Sequence, residues 1–125
     1  MTDPIRTVEQ FLARLGEDGG FGSAVREWFT PKTVYENIGM SRTTGIDEAM
    51  AIVTQFEEGF GARSIRVETT AIAADGNKVL TERIDHLVNA AGETMASIPL
   101  MGIFELDGGR ITAWRDYFDT RGFGG

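Results

Sequence analysis

Val79-Leu80-Thr81-Glu82-Arg83-Ile84-Asp85-His86-Leu87-Val88-Asn89 reads as one long strand, apolar at both ends, with an arginine and an aspartate two residues apart in its middle. Side chains alternate across a strand, so Arg83 and Asp85 leave the same face, with Thr81 and Leu87 beside them. His86 leaves the opposite face with Ile84 and Val88, which places it in packing or at a subunit contact. A second acidic strand, Ile111-Thr112-Ala113-Trp114-Arg115-Asp116-Tyr117-Phe118-Asp119, sets Asp116 between Trp114 and Phe118 on one face. Arg115, Tyr117 and Asp119 take the other face and point outward. If the Trp114 face and the Arg83/Asp85 face look into one cavity, two carboxylates and a guanidinium meet among apolar groups. The rest of the chain is then the cup that holds them.

Working back to the start of the chain, Asp3-Pro4 supplies a capping acceptor and then proline at the first helical position. Ile5, Val8, Phe11, Leu12 and Leu15 recur behind it at helical spacing, which predicts an amphipathic helix ended by Gly16 and the run Gly19-Gly20-Phe21-Gly22. Ser23 is placed to cap a shorter helix that carries Val25, Trp28 and Phe29 and is closed by Pro31. Thr33-Val34-Tyr35-Glu36-Asn37-Ile38 predicts the first strand, followed by a polar connection from Gly39 to Gly45. Thr44 and Asp47 have the spacing of a capping pair, and Ile46, Met50, Val53 and Phe56 carry a third helix that Gly59 and Gly61 end.

From Ser64 onward the pattern turns to strands. Ile65 to Ala73 is one, and Asp75-Gly76-Asn77 is a hairpin turn. Lys78 to Asn89 follows, closed by Ala90-Ala91-Gly92. Glu93 to Leu106 is the next, where Pro99 implies a bulge or an edge position. Asp107-Gly108-Gly109 turns the chain into Arg110 to Asp119, and Gly122-Phe123-Gly124-Gly125 reads as a loose tail. The expected fold class is α+β: a curved, mostly antiparallel sheet wrapped around three N-terminal helices, forming a cone with a deep apolar pocket. One domain spanning residues 1–125 accounts for the whole length.

The composition is that of an ordinary globular protein, 42% apolar and 25% charged. The net charge of −7 argues against nucleic acid or anionic membrane as a partner, since both are bound through excess lysine and arginine. With no cysteine and one histidine, disulfides, thiolate metal sites, a cysteine nucleophile and a multi-histidine metal centre are excluded. Met1-Thr2-Asp3-Pro4 lacks the basic start and apolar run of a signal peptide, and no window approaches membrane-spanning length, so a cytoplasmic location is expected.

Arg83, Asp85 and Asp116 have a bland reading as a salt bridge between neighbouring strands. Their setting favours a functional one. Thr81, Leu87, Trp114 and Phe118 share those faces, and charges among such neighbours are costly unless paired. Two adjacent carboxylates do not both ionise readily; one proton is shared, so one group donates while the other accepts. Such a pair can open a strained ether while water attacks from the other side. Tyr35 and Asn37, two apart on a strand, form either a polar strand edge or a cradle for that water. Trp28, Phe29, Trp114, Phe118 and Phe123 read first as core aromatics.

Tyr35-Glu36-Asn37, Arg83-Ile84-Asp85, and the run from Gly102-Ile103-Phe104-Glu105-Leu106 through Gly109-Arg110-Ile111-Thr112-Ala113-Trp114-Arg115-Asp116-Tyr117-Phe118-Asp119 together resemble the limonene-1,2-epoxide hydrolase family. The resemblance runs from about the second helix to Phe123. It implies the cone-shaped fold shared with nuclear transport factor 2, ketosteroid isomerase and polyketide cyclases, joined as a homodimer through the sheets. It implies a small apolar epoxide as substrate, with no cofactor and no metal. Asp116 would then be the base that activates water, Tyr35 and Asn37 its holders, Asp85 the acid that protonates the epoxide oxygen, and Arg83 the bridge between the aspartates. Leu87, Ile98, Leu100, Trp114 and Phe118 are the expected pocket walls. An isomerase or cyclase of the same fold, and a non-catalytic ligand-binding module, are the rival readings, because such cones host many functions.

Overall fold

A computed structural model describes residues 3–121. Its elements run α1 (Pro4–Leu15), α2 (Gly20–Trp28), β1 (Phe29–Asn37), β2 (Ser41–Thr44), α3 (Gly45–Thr54), a single π turn (Gln55–Gly59), β3 (Ala62–Asp75), β4 (Lys78–Asn89), β5 (Thr94–Asp107) and β6 (Arg110–Tyr117). The strands form one open sheet in the order β2-β1-β6-β5-β4-β3. Every pairing is antiparallel except β1 with β6. The α+β architecture, the helices and the four-strand meander are as expected. Phe123 and the tail 122–125 lie outside the described residues.

α1 begins where its cap predicts, with the Asp3 carboxylate accepting from the Ile5 amide at 3.0 Å. Its buried stripe carries Phe11, around which the core aromatics gather. Trp28, Phe29, Phe104 and Trp114 all lie within 5.1–6.2 Å of the Phe11 ring. Across the sheet, Phe104, Trp114 and Tyr35 face one another in register on β5, β6 and β1. Their rings stack face to face, 5.5 Å from Phe104 to Trp114 and 4.3 Å from Trp114 to Tyr35. Offset stacking of this kind adds to area burial and locks three strands at one level.

Several local expectations are corrected. Ser23 does not cap α2, which starts at Gly20: Gly19 takes the left-handed conformation (φ 68°) and turns the chain, and Ser23 accepts instead from Arg14. Phe29 leaves the helix and opens β1, and Pro31 lies in an irregular stretch of that strand, between the Phe29–Ile111 and Val34–Ala113 pairings. The connection after Gly39 contains β2, whose four polar residues show no apolar alternation to reveal it. At the start of α3 the Thr44 amide donates to Glu48, not Asp47, at 2.9 Å. Of the two expectations for Pro99 the edge position holds and the bulge does not: it sits opposite Ile84 in the part of β5 that runs beyond the pairing with β6, which begins at Met101.

Candidate active site

Strand parity delivers the predicted charges to one place. In β4, Val79, Thr81, Arg83, Asp85 and Leu87 alternate inward and are buried. In β6, Trp114 and Asp116 do the same. The register then sets levels across the sheet. Phe104, Trp114 and Tyr35 form one level with Val79, and two residues on, Thr81, Gly102, Asp116 and Asn37 form the next.

Arg83 is wholly buried and joins both aspartates. Its Nε and Nη2 donate to the two oxygens of Asp85 at 3.2 and 2.9 Å. Its Nη1 and Nη2 donate to those of Asp116 at 3.2 and 2.9 Å. Two guanidinium edges thus hold two carboxylates in fork geometry. Asp116 also accepts from the Trp114 indole at 2.8 Å. Among the described residues, no fully buried side-chain nitrogen or oxygen lacks a partner.

The electrostatics follow from burial and charge. Burial pushes the Asp116 carboxyl above its ordinary value of 3.8, and the Asp85 charge pushes the same way; Arg83 and the Trp114 hydrogen bond oppose them. Burial would lower the Arg83 guanidinium, but the two aspartates beside it win and keep it firmly protonated. Burial, then the charge of Asp116, drives the Tyr35 phenol well above its usual range, so it stays neutral and keeps its proton. Asn37 lies beside it, with its amide nitrogen 3.3 Å from the Tyr35 hydroxyl and 3.2 Å from that of Ser41.

These groups floor a cavity of about 350 Å³. Tyr35, Asn37, Asp85 and Asp116 line it, as do the five expected wall residues Leu87, Ile98, Leu100, Trp114 and Phe118. Arg83 is not among the lining residues; it lies behind the carboxylates. His86 is on the outer sheet face between Ser97 (2.7 Å) and Glu68 (3.1 Å), away from the cavity as parity required. Among the described residues no cluster of histidine, aspartate and glutamate is arranged to hold a metal ion.

The facing wall went unread in the sequence. It comes from Phe21 of α2, Ile52 of α3, and Gln55, Phe56 and Phe60 around the π turn. There the Phe60 amide reaches back to the Gln55 carbonyl at 2.9 Å. By sequence Phe56 falls on the apolar stripe of an ordinary helix; in the structure it sits in the π turn and lines the cavity. Met40 and Ser41, from the unpredicted β2 hairpin, complete the mouth.

Comparison with known proteins bears directly on this arrangement. A curated relative, Epoxide hydrolase EphG of Mycobacterium tuberculosis, is 41% identical over 87 residues, 70% of this chain; the match spans 55% of that relative's length. The solved structure of an M. tuberculosis LEH-like epoxide hydrolase is 36% identical, covers 94% of this chain and 84% of that one, and superposes with a TM-score of 0.72. A protein with a ketosteroid isomerase-like fold from Catenulispora acidiphila is similar in fold alone, at 17% identity, a TM-score of 0.73, and 90% and 85% coverage of the two chains. No helix among the described residues is long and apolar enough to cross a membrane. The sequence model of the limonene-1,2-epoxide hydrolase catalytic domain matches residues 2–123, Asp85, Asp116 and their bridging arginine within it, and the chain belongs to that family.

Proposed function

We propose that this protein hydrolyses a small apolar epoxide to a vicinal diol by direct attack of water, with no covalent intermediate. The observation that carries this reading is a pair of buried aspartates on one shared arginine, at the floor of an apolar cavity and beside a tyrosine–asparagine pair. Family membership and the 41% identical epoxide hydrolase support the same chemistry.

In the proposed reaction, water rests between the Tyr35 phenol, the Asn37 amide and the Asp116 carboxylate. Asp116 takes a proton from it as the water oxygen bonds to one ring carbon. The ring C–O bond breaks, and the departing oxygen takes a proton from Asp85. The product carries one solvent oxygen; Asp116 ends protonated and Asp85 ionised, and solvent in the open cavity resets the pair. Asp116 suits the base role because it accepts three hydrogen bonds to its charged form, against two for Asp85. Burial makes it a stronger base than a free carboxylate. Arg83 holds the two in register.

The test is one turnover with enzyme in excess in heavy-oxygen water with EDTA, on a panel of cyclic and alkyl epoxides. Diol carrying one labelled oxygen supports direct attack. Unlabelled diol means that a carboxylate supplied the oxygen, and the mechanism falls. Asp116→Asn and Asp85→Asn should each lower turnover by at least about a hundredfold, the low end for a general acid or base.

We also propose a homodimer through the outer sheet face, where Leu80, Met101 and Tyr117 stand exposed on adjacent strands. Apolar groups gathered on one sheet face are the kind of surface that association covers.

A further inference from the structure

Arg83 and Asp116 are not on neighbouring strands. β5 lies between β4 and β6, so the arginine must cross a whole strand, roughly 10 Å from β4 to β6, to reach the second carboxylate. It crosses at Gly102. A methyl group there would collide with both Arg83 Nη1 and Asp116 Oδ1, and would lie 3.3 Å from the Thr81 hydroxyl. All three neighbours are buried. A glycine inside a strand often marks close approach by another group, and here that group is the cation of the site.

Thr81 completes the arrangement. A guanidinium has five N–H groups. Four go to the two carboxylates, and the fifth, on Nη1, goes to the Thr81 hydroxyl at 3.0 Å. The threonine's own proton is committed to the Gly102 carbonyl at 3.1 Å. With its hydrogen fixed there, the hydroxyl presents a lone pair to the guanidinium. The Phe104 ring lies beside the cation, 5.7 Å from its central carbon. Neither Thr81 nor Gly102 lines the cavity, so each can act on the reaction only through Arg83 and Asp116.

We propose that Thr81 and Gly102 are positioning residues that form a seat for the Arg83 guanidinium, fixing it across the sheet so that one cation grips both aspartates. The inference rests on the hydrolase reading for its effect on turnover; its effect on the Asp116 carboxyl stands apart from that reading. Removing the Thr81 hydroxyl leaves one N–H of a buried cation without its acceptor and takes from the Gly102 carbonyl the hydrogen bond the hydroxyl donates. The guanidinium then tilts, and Asp116 loses part of the interaction that opposes burial.

The experiment compares Thr81→Val, which keeps the shape, with Thr81→Ser, which returns the hydroxyl. The Asp116 carboxyl is followed by carbon-13 NMR against pH and assigned with Asp116→Asn. In Thr81→Val the Asp116 titration should move upward by about half a unit or more, with kcat falling about tenfold and KM changing less than about threefold, the scale of one lost charge-assisted hydrogen bond. The acid limb of the rate profile should move up with it. Thr81→Ser should bring both most of the way back. A Thr81→Val titration that matches wild type overturns the seat, as does a Thr81→Ser protein shifted as far as Thr81→Val. Gly102→Ala is the second arm: a folded variant with wild-type turnover overturns the proposal, and a fall of about a hundredfold or more supports it. The titration needs no substrate. Wild-type protein that opens no epoxide therefore sinks the hydrolase reading, while the NMR still decides the seat.

Discussion

Arg83 shows why a buried cation is not a stabilising feature in itself. Its two carboxylates offset its desolvation only while all three are present. Arg83→Ala strands two buried carboxylates, and unfolding in urea should show a loss of about 3–5 kcal/mol. Arg83→Lys keeps the charge but cannot make two forks from one ammonium; it should fold, with turnover lowered at least about tenfold. Asp116 carries a sign that can be tested. Its carboxyl is raised in the folded protein, so the folded state binds the proton more tightly than the unfolded chain does. That contribution is fully present below the ordinary value of 3.8 and is lost as pH rises through the folded value. The melting temperature of wild type minus that of Asp116→Asn should therefore decline as pH rises from about 3.8 toward neutrality; a difference that grows over that range would contradict the direction. Surface carboxylates held low by arginine, such as Asp18 and Asp119, slope the other way but are common to both proteins.

At the scale of elements, the sheet was legible and the facing wall was not. The bounds of β4 follow from its two turns, and two-residue alternation put Arg83, Asp85 and Asp116 inward without any knowledge of neighbours. Tyr35 and Asn37 were placed by the same parity, but only the parallel register of β1 on β6 sets Asn37 beside Asp116. Such a pairing, between strands at opposite ends of the sequence, leaves no local trace. β2 was missed because four polar residues carry no period, and the start of α2 because a left-handed glycine replaced the side-chain cap. Gly102 did leave a signal, a lone glycine inside a strong strand, though not what approached it. The π turn supplies part of the facing cavity wall, through Gln55 and Phe56. Phe56 packs edge to face on Phe21 at 5.3 Å and lines the cavity. Phe56→Ala should raise KM for a bulky apolar epoxide about tenfold, roughly 1.4 kcal/mol of lost contact, with a smaller change in kcat. Steady-state kinetics on a small and a large epoxide would check this, since the small one should be nearly unaffected.

For the whole molecule, the inner and outer faces of one sheet divide the work. The inner face of β4, β5 and β6 is committed to the core and the cavity, and the outer face carries Leu80, Met101 and Tyr117 at 42–50% exposure. If two copies meet there, wild-type protein should sediment as a dimer, and Met101→Glu, which adds a charge next to Glu82 across the strand pair, should shift it to monomer. The strand order has a further result for how the protein is made. β6, the last of the described strands in chain order, lies between β1 and β5, both earlier in the sequence. Before β6 joins, β1 and β5 each present an unpaired edge, with Tyr35 and Phe104 on either side of the gap. Trp114 and Asp116 arrive together as the plug. Until then the proposed base is missing and the edges are open to any other strand, including the same strand of a sister chain. The residue proposed as the base travels on the strand that closes the sheet, so a chain stalled just short of that step should be prone to aggregate.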